Sequence, residues 1–264
     1  MTTSGVLAAA RGLVLTVLLV AASAADAGWL IVDENGDQTL VSRGRLKMSP
    51  KQGDGRSMVL DLARARMWVA DAGRSLYWDG TVEEYCEAVR GTMAAAEKAM
   101  LEQLKDMPPA QREKTMRQMG IGGGVAGPPP KVTIERTADM EKIAGLAARK
   151  YRVLANGKLY EELWLTTDAA LVRDLELTRA PDTFGRMFSC IAGSGGERVE
   201  ADAEYRQIFA QGWPLKVVFH GEGGGPNARA LVTRVEQRDL PESDFTPPAG
   251  FRAAPLAEIF GQKR

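Results

Sequence analysis

Histidine is nearly absent from this chain: of 264 residues only His220 is one, and cysteine occurs twice, at Cys86 and Cys190. Any Ser-His-Asp or Cys-His arrangement would have to route through His220, which closes the apolar run PLKVVFH and reads as a strand-end residue. A metal site needs clustered Cys, His or carboxylate ligands, and one histidine with two distant cysteines does not supply them. The motif G-x-S-x-G is missing too; Ser194 in Gly193-Ser194-Gly195-Gly196 has no strand-to-helix context. The carboxylate pairs Glu83-Glu84 and Glu161-Glu162 are sequence neighbours whose side chains point apart, so they read as solvated faces and not as acid–base pairs. No catalytic residue, metal or cofactor is therefore expected, and the protein is expected not to be an enzyme.

Charge of one sign is also missing. Lys and Arg number 34 and Asp and Glu 34, so the formal net charge is zero. Nucleic acid and anionic membrane surfaces both call for a basic excess and are excluded as partners. Long apolar runs are scarce: residues 12–22, GLVLTVLLVAA, give about 11 where a spanning helix needs roughly 20. Arg11 precedes that run, and the small-residue stretch Ala22-Ser23-Ala24-Ala25-Asp26-Ala27 follows it. This order reads as a signal peptide over residues 1–27, cut after Ala27, with Ala24 the alternative. No cysteine follows the cut, so a soluble periplasmic or secreted product with no stable membrane span is expected.

What is present falls into three blocks. Residues 29–78 alternate short strands with turn residues: WLIVD, the Asn35-Gly36 turn, TLVS, RLKMS, Gly53-Asp54-Gly55, SMVLDL, ARMWVAD, Gly73 and SLYW. Such spacing predicts an antiparallel meander, and the alternation of Met58, Leu60 and Leu62 and of Met67 and Val69 predicts one buried and one wetter face. Next comes a helical stretch opened by a Thr81/Glu84 capping box. Val82, Cys86, Val89, Met93, Ala96, Met100, Leu104 and Met107 recur there every three or four residues as one apolar stripe. Pro108-Pro109 ends that helix, residues 110–119 start another, and the Gly/Pro-rich residues 120–130 form a flexible loop. The third block returns to strands: KVTIERT, AARKYRVLA, the Asn156-Gly157 hairpin turn, KLYEELWLT, PLKVVFH and ARALVTRVEQ. A helical stretch over 168–191, broken at Pro181, interrupts it, and residues 243–251 read as a turn feeding an edge strand. Strands on both sides of a helical insert imply one sheet.

The order of leader, Gly36-Asp37-Gln38-Thr39, Val59-Leu60-Asp61, Tyr77-Trp78, Pro108-Pro109-Ala110-Gln111-Arg112, Ile143-Ala144-Gly145, Lys150-Tyr151, Asn156-Gly157, Trp164 and Phe245 through Phe251 resembles a family of exported bacterial proteins of unknown function. That family is similar in fold to the LolA/LolB-type lipoprotein carriers. The resemblance implies an α+β fold: a LolA-like antiparallel β half-barrel, one domain over residues 28–264, with helices packed on its concave apolar face. The insert is then about 81–119. In the carriers that cavity holds acyl chains; the matching motifs are turns and packing positions, so no functional residue transfers.

Two functions follow. Met93, Met100, Leu104 and Met107 would line a cavity for a lipid or acyl ligand, since methionine repacks around variable apolar partners, or would serve as plain core against the sheet. The first reading makes a non-enzymatic binding or carrier-like protein for a hydrophobic ligand; the second makes a structural or interaction protein of the cell envelope whose partner is another envelope protein. In an oxidising compartment Cys86 and Cys190 form one candidate disulfide, the alternative being two free buried thiols.

Overall fold

The computed structural model describes residues 26–52, 55–118, 129–176, 183, 186, 187, 190, 199, 202–220 and 227–261. Most of the expected leader, most of the Gly/Pro loop, Ser194 and residues 221–226 lie outside these residues. Among the described residues twelve strands form a single sheet. The first meander contains β1 (Asp26–Asp33), β2 (Gln38–Ser42), β3 (Arg45–Ser49), β4 (Arg56–Asp61), β5 (Arg66–Asp71) and β6 (Leu76–Thr81). The second contains β7 (Val132–Ile143), β8 (Leu146–Ala155), β9 (Lys158–Thr166), β10 (Pro214–Phe219) and β11 (Asn227–Leu240). The strand order is β12-β6-β5-β4-β3-β2-β1-β11-β10-β9-β8-β7, antiparallel throughout except where β12 (Arg252–Ala253) lies parallel to β6. The two meanders meet at the β1–β11 seam, where Asp26 pairs with Leu240 and Leu30 with Glu236.

Local chemistry fixes the turns. Asn156 and Gly157 take φ of 51° and 78°, the left-handed pair that a two-residue hairpin requires and that Asn-Gly tolerates best. Ala144-Gly145 joins β7 to β8 with the same backbone at φ 47° and 88°, so alanine there occupies a strained region. Between the meanders lie α1 (Val82–Leu104) and α2 (Pro109–Gln118). The capping box is present at α1: Thr81 Oγ1 accepts from the Glu84 amide at 3.1 Å, and Glu84 Oε2 accepts from the Thr81 amide at 2.7 Å. Short helices α3 (Ala169–Leu175) and α4 (Ala203–Ile208) are capped by Asp168 and Asp202, and α5 (Leu256–Phe260) closes the chain.

Both faces of the sheet carry core, which corrects the expectation of one buried and one wetter face. On the main face Leu60, Leu62, Met67 and Val69 pack with Trp29, Ile31, Leu215 and Trp164, beneath Val82, Tyr85 and Cys86 of α1, Leu171 and Leu175 of α3, and Ile259 of α5. The alternating residues Val59, Trp68 and Ala70 face the other way and are covered by Leu240 and Phe245. Behind the second meander, Tyr151, Val153, Leu163 and Leu165 pack under Tyr205, Ile208 and Phe209. The returning chain and α4 thus cover surfaces that strand alternation alone would leave wet.

The apolar stripe of α1 is not continuous core either. Its first two turns are buried at Val82, Tyr85 and Cys86, whereas Ala94, Ala95 and Ala96 are exposed and Leu101 reaches 37% exposure. At the base of the helix Val82, Tyr85 and Cys86 join the main-face core, with Ala88 and Val89 packed against it.

Candidate functional site

The cysteines are architectural. The structure joins Cys86, on the first turns of α1, to the helical Cys190 as a disulfide with a Cα–Cα distance of 5.1 Å. Both are buried, the carbonyl of Arg186 lies 2.8 Å from Cys190 Sγ, and Arg186 also pairs with Glu83 at 2.6 Å. On the chain-entropy model a loop of 104 residues makes such a link worth about 4–5 kcal/mol.

Of the methionine stripe, Leu104 is buried, Met100 and Met107 are half-buried, and the side chain of Met93 lies outside the described set. Met100 and Leu104 occupy the last turns of α1, beyond its exposed middle, and Met107 follows the helix. Among the described residues no three His, Cys, Asp or Glu side chains converge as metal ligands.

The strongest concentration of functional groups lies elsewhere, on the main face of the second meander. Cross-strand register sets Lys150 of β8, Trp164 of β9, Lys216 of β10 and Leu231 of β11 in one row. The ammonium groups of Lys150 and Lys216 stand 5.0 and 4.3 Å from the centroid of the Trp164 ring, which is 8% exposed. Both distances lie within cation–π range. The next row places Arg152, Glu162 and Val218 together. Glu162 Oε1 pairs with Lys150 Nζ at 2.6 Å, and its Oε2 meets His220 Nε2 at 3.0 Å. Burial pushes the Glu162 carboxyl up, but the hydrogen bonds and charges of Lys150 and His220 outweigh that and hold it below its ordinary value.

Lys216 reaches further, to Glu141 on β7 at 3.0 Å. Three strand gaps separate β10 from β7, about 14 Å in a flat sheet at roughly 4.8 Å each. The two side chains reach each other over β8 and β9, where the position opposite Glu141 is the small, fully buried Ala148. Beside Lys150, β7 bulges: Thr137, Ala138 and Asp139 fall between the pairs Arg136–Tyr151 and Met140–Arg149, and Thr137 Oγ1 donates to the Lys150 carbonyl at 3.0 Å. Such bulges bend a strand and re-aim its side chains.

This cluster corrects the reading of Glu161-Glu162 as solvated. The two do point to opposite faces, but Glu161 is 1% exposed and bonded to the Tyr205 hydroxyl at 2.8 Å, and the Glu162 side chain is only 15% exposed. The one available signal was the pattern E-x-W-x-T in β9, with Leu163 and Leu165 between: a polar and an apolar face on one strand. Lys150 is set on that face by the local Asn156-Gly157 hairpin, whereas Lys216 and His220 come from β10 and its end, whose register against β9 no local pattern specifies.

Residues 124–251 match the family model described as a domain of unknown function, DUF4412. No curated protein matches the chain. Among solved structures, an uncharacterized conserved protein from Thermus thermophilus is 11% identical with a TM-score of 0.37, over 87% of this chain and 90% of that one. PNGF-II is 8% identical with a TM-score of 0.38, over 86% of this chain but 30% of its own. MucB is 16% identical with a TM-score of 0.28, over 87% and 60%, and has also been solved in complex with MucA(peri). Likenesses this distant carry no weight for function.

Proposed function

We propose that this protein is an exported, non-enzymatic binding protein of the carrier type, an open half-barrel that holds a lipid or acyl ligand on its curled face. The observation that supports the reading is the Lys216–Glu141 pair reaching across β8 and β9, as a concave surface would allow, together with the apolar side chains beside it. Leu146, Val218, Leu231 and Val235 pack against the core yet stay half-buried, so they form an apolar rim where the helical cover ends. Met100 and Leu104 of α1, with Met107 just after it, are proposed as a second apolar wall, their burial contrasting with the exposed middle of that helix. Export is supported by the leader pattern and by the Cys86–Cys190 link, since disulfides persist in oxidising compartments. Among the described residues no helix is long and apolar enough to cross a membrane.

The test is native mass spectrometry of protein purified without detergent from an exporting host, followed by organic extraction. An acyl-bearing adduct that leaves on extraction is the expected outcome. An apo mass, with no saturable binding of a fluorescent acyl probe, overturns the proposal. A second reading, an interaction protein of the envelope, is favoured by the exposed Leu101 on the last turn of α1. An apo mass combined with a discrete crosslink from residue 101 to one envelope protein would select it.

A further inference from the structure

We infer that Lys216 is an anion subsite whose resident counter-ion is Glu141, and that the anion it takes is the carboxylate or phosphate head of an amphiphile. The inference rests on the carrier reading and adds the ligand's polar chemistry to it.

The two lysines over Trp164 are not equivalent. Lys150 is closed off: its partner Glu162 is 15% exposed and is held on its other oxygen by His220. Lys216 is held by Glu141, which is 42% exposed and belongs to β7, the outer strand of the sheet, past the bulge at Thr137–Asp139. Glu141 has water within reach, so swinging it outward costs little, as for any half-exposed ion pair. Lys216 does not follow it outward, because its ammonium is 4.3 Å from the Trp164 ring and the side chain is 27% exposed. What remains is a partly desolvated cation bordered by Trp164 and by Leu231 across the strands, with Val218 two residues along the same face. A cation set among apolar side chains is the complement of a group that is anionic at its tip and apolar behind it. An isolated anion would meet the charge but leave Leu231 and Val218 unused.

Calorimetric titration of the delipidated, disulfide-intact protein with dodecyl phosphate, uncharged dodecyl maltoside and inorganic phosphate tests this. Dodecyl phosphate is expected to bind about tenfold more tightly than the maltoside, the equivalent of one partly desolvated charge pair. Glu141→Gln removes the competing carboxylate and is expected to tighten dodecyl phosphate by about the same factor and so to widen its margin over the maltoside. Lys216→Met is expected to erase the difference between the two probes, and Lys216→Arg to retain it. Equal affinity for both dodecyl probes in the unmodified protein overturns the subsite and leaves the carrier reading standing. Failure of both to bind overturns the carrier reading as well. Inorganic phosphate binding as tightly as dodecyl phosphate overturns the amphiphile head in favour of a free-anion site. Weaker phosphate binding in Glu141→Gln overturns the counter-ion role and makes the pair a structural strap.

Discussion

At the scale of single residues, the most consequential polar contact outside the candidate site is Asp71. Its carboxylate is buried; Oδ1 accepts from the Arg74 amide at 3.0 Å and Oδ2 from Arg74 Nε at 2.7 Å. Arg74 in turn donates to the carbonyls of Glu258 and Ile259, so one guanidinium caps the end of α5 where unsatisfied carbonyls gather. Burial pushes Asp71 up, but the Arg74 hydrogen bonds and the charges of Arg74 and Arg56 together bring it below its ordinary value. A carboxyl depressed by folding contributes stability above its unfolded pKa and loses it as pH falls through the folded one. Asp71→Asn is therefore expected to cost about 1–3 kcal/mol at pH 7. The gap to the unmodified protein is expected to narrow progressively below about pH 4, as read by urea denaturation across pH. A gap that stays constant to pH 2 would sink the assignment. In the sequence, Gly73 marked the turn that holds Asp71 and Arg74, but nothing local announced a target 184 residues away from Arg74. Glu161 and Glu162 were misjudged for the same reason: burial of a strand residue depends on which distant strand or helix lies over it.

At the scale of elements, hairpins were legible because their information is local. The reading of KLYEELWLT coincides with β9, and those of TLVS and RLKMS fall within a residue of β2 and β3, since Gly-containing turns and alternation fix both ends of a strand. The helices α4 and α5 escaped, being six and five residues long, too short for periodicity to register; they exist because Tyr205, Ile208, Leu256 and Ile259 are pulled onto the sheet. The start of β1 bears on processing. Asp26 and Ala27 already pair with Leu240 and Asp239, and Gly28 is buried so tightly that an added Cβ would lie 2.5 Å from Leu240 and 2.6 Å from the Val41 carbonyl. Cleavage after Ala27 would strip two rungs from the seam and set a charged amine on buried Gly28, where desolvation opposes it. Cleavage after Ala24 leaves the strand whole. If the proposed leader is cut, N-terminal sequencing and intact mass of protein recovered from an exporting host are expected to give Ala25 as the first residue; a Gly28 start or an unprocessed chain would refute the argument.

At the scale of the whole molecule, two meanders, each built from local hairpins, are made one body by long-range ties. The β1–β11 seam joins residues about 200 apart in sequence. The Cys86–Cys190 link ties the base of α1 to a segment of the other half, and the tail returns to the first meander through Lys47–Asp244, Arg45–Glu242 and the Trp68 indole on the Phe245 carbonyl. Both sides of the candidate site depend on this closure, since Lys216 and Leu231 occupy the strands that lead into the seam. High contact order of this kind predicts slow folding, and it makes the seam the place where damage is felt everywhere. Gly28→Val adds side-chain bulk where Leu240 and the Val41 carbonyl leave no room, so it is expected to cost about 1–3 kcal/mol or more. Because neither meander keeps its main-face core without the other, the loss is expected to move the whole transition. Far-UV circular dichroism, and fluorescence in variants that keep only Trp29, only Trp68 or only Trp164 of the five tryptophans, should shift to a single lower midpoint. A variant in which the signal of Trp164 keeps its original midpoint while those of Trp29 and Trp68 fall would show two independent units and defeat the one-body description.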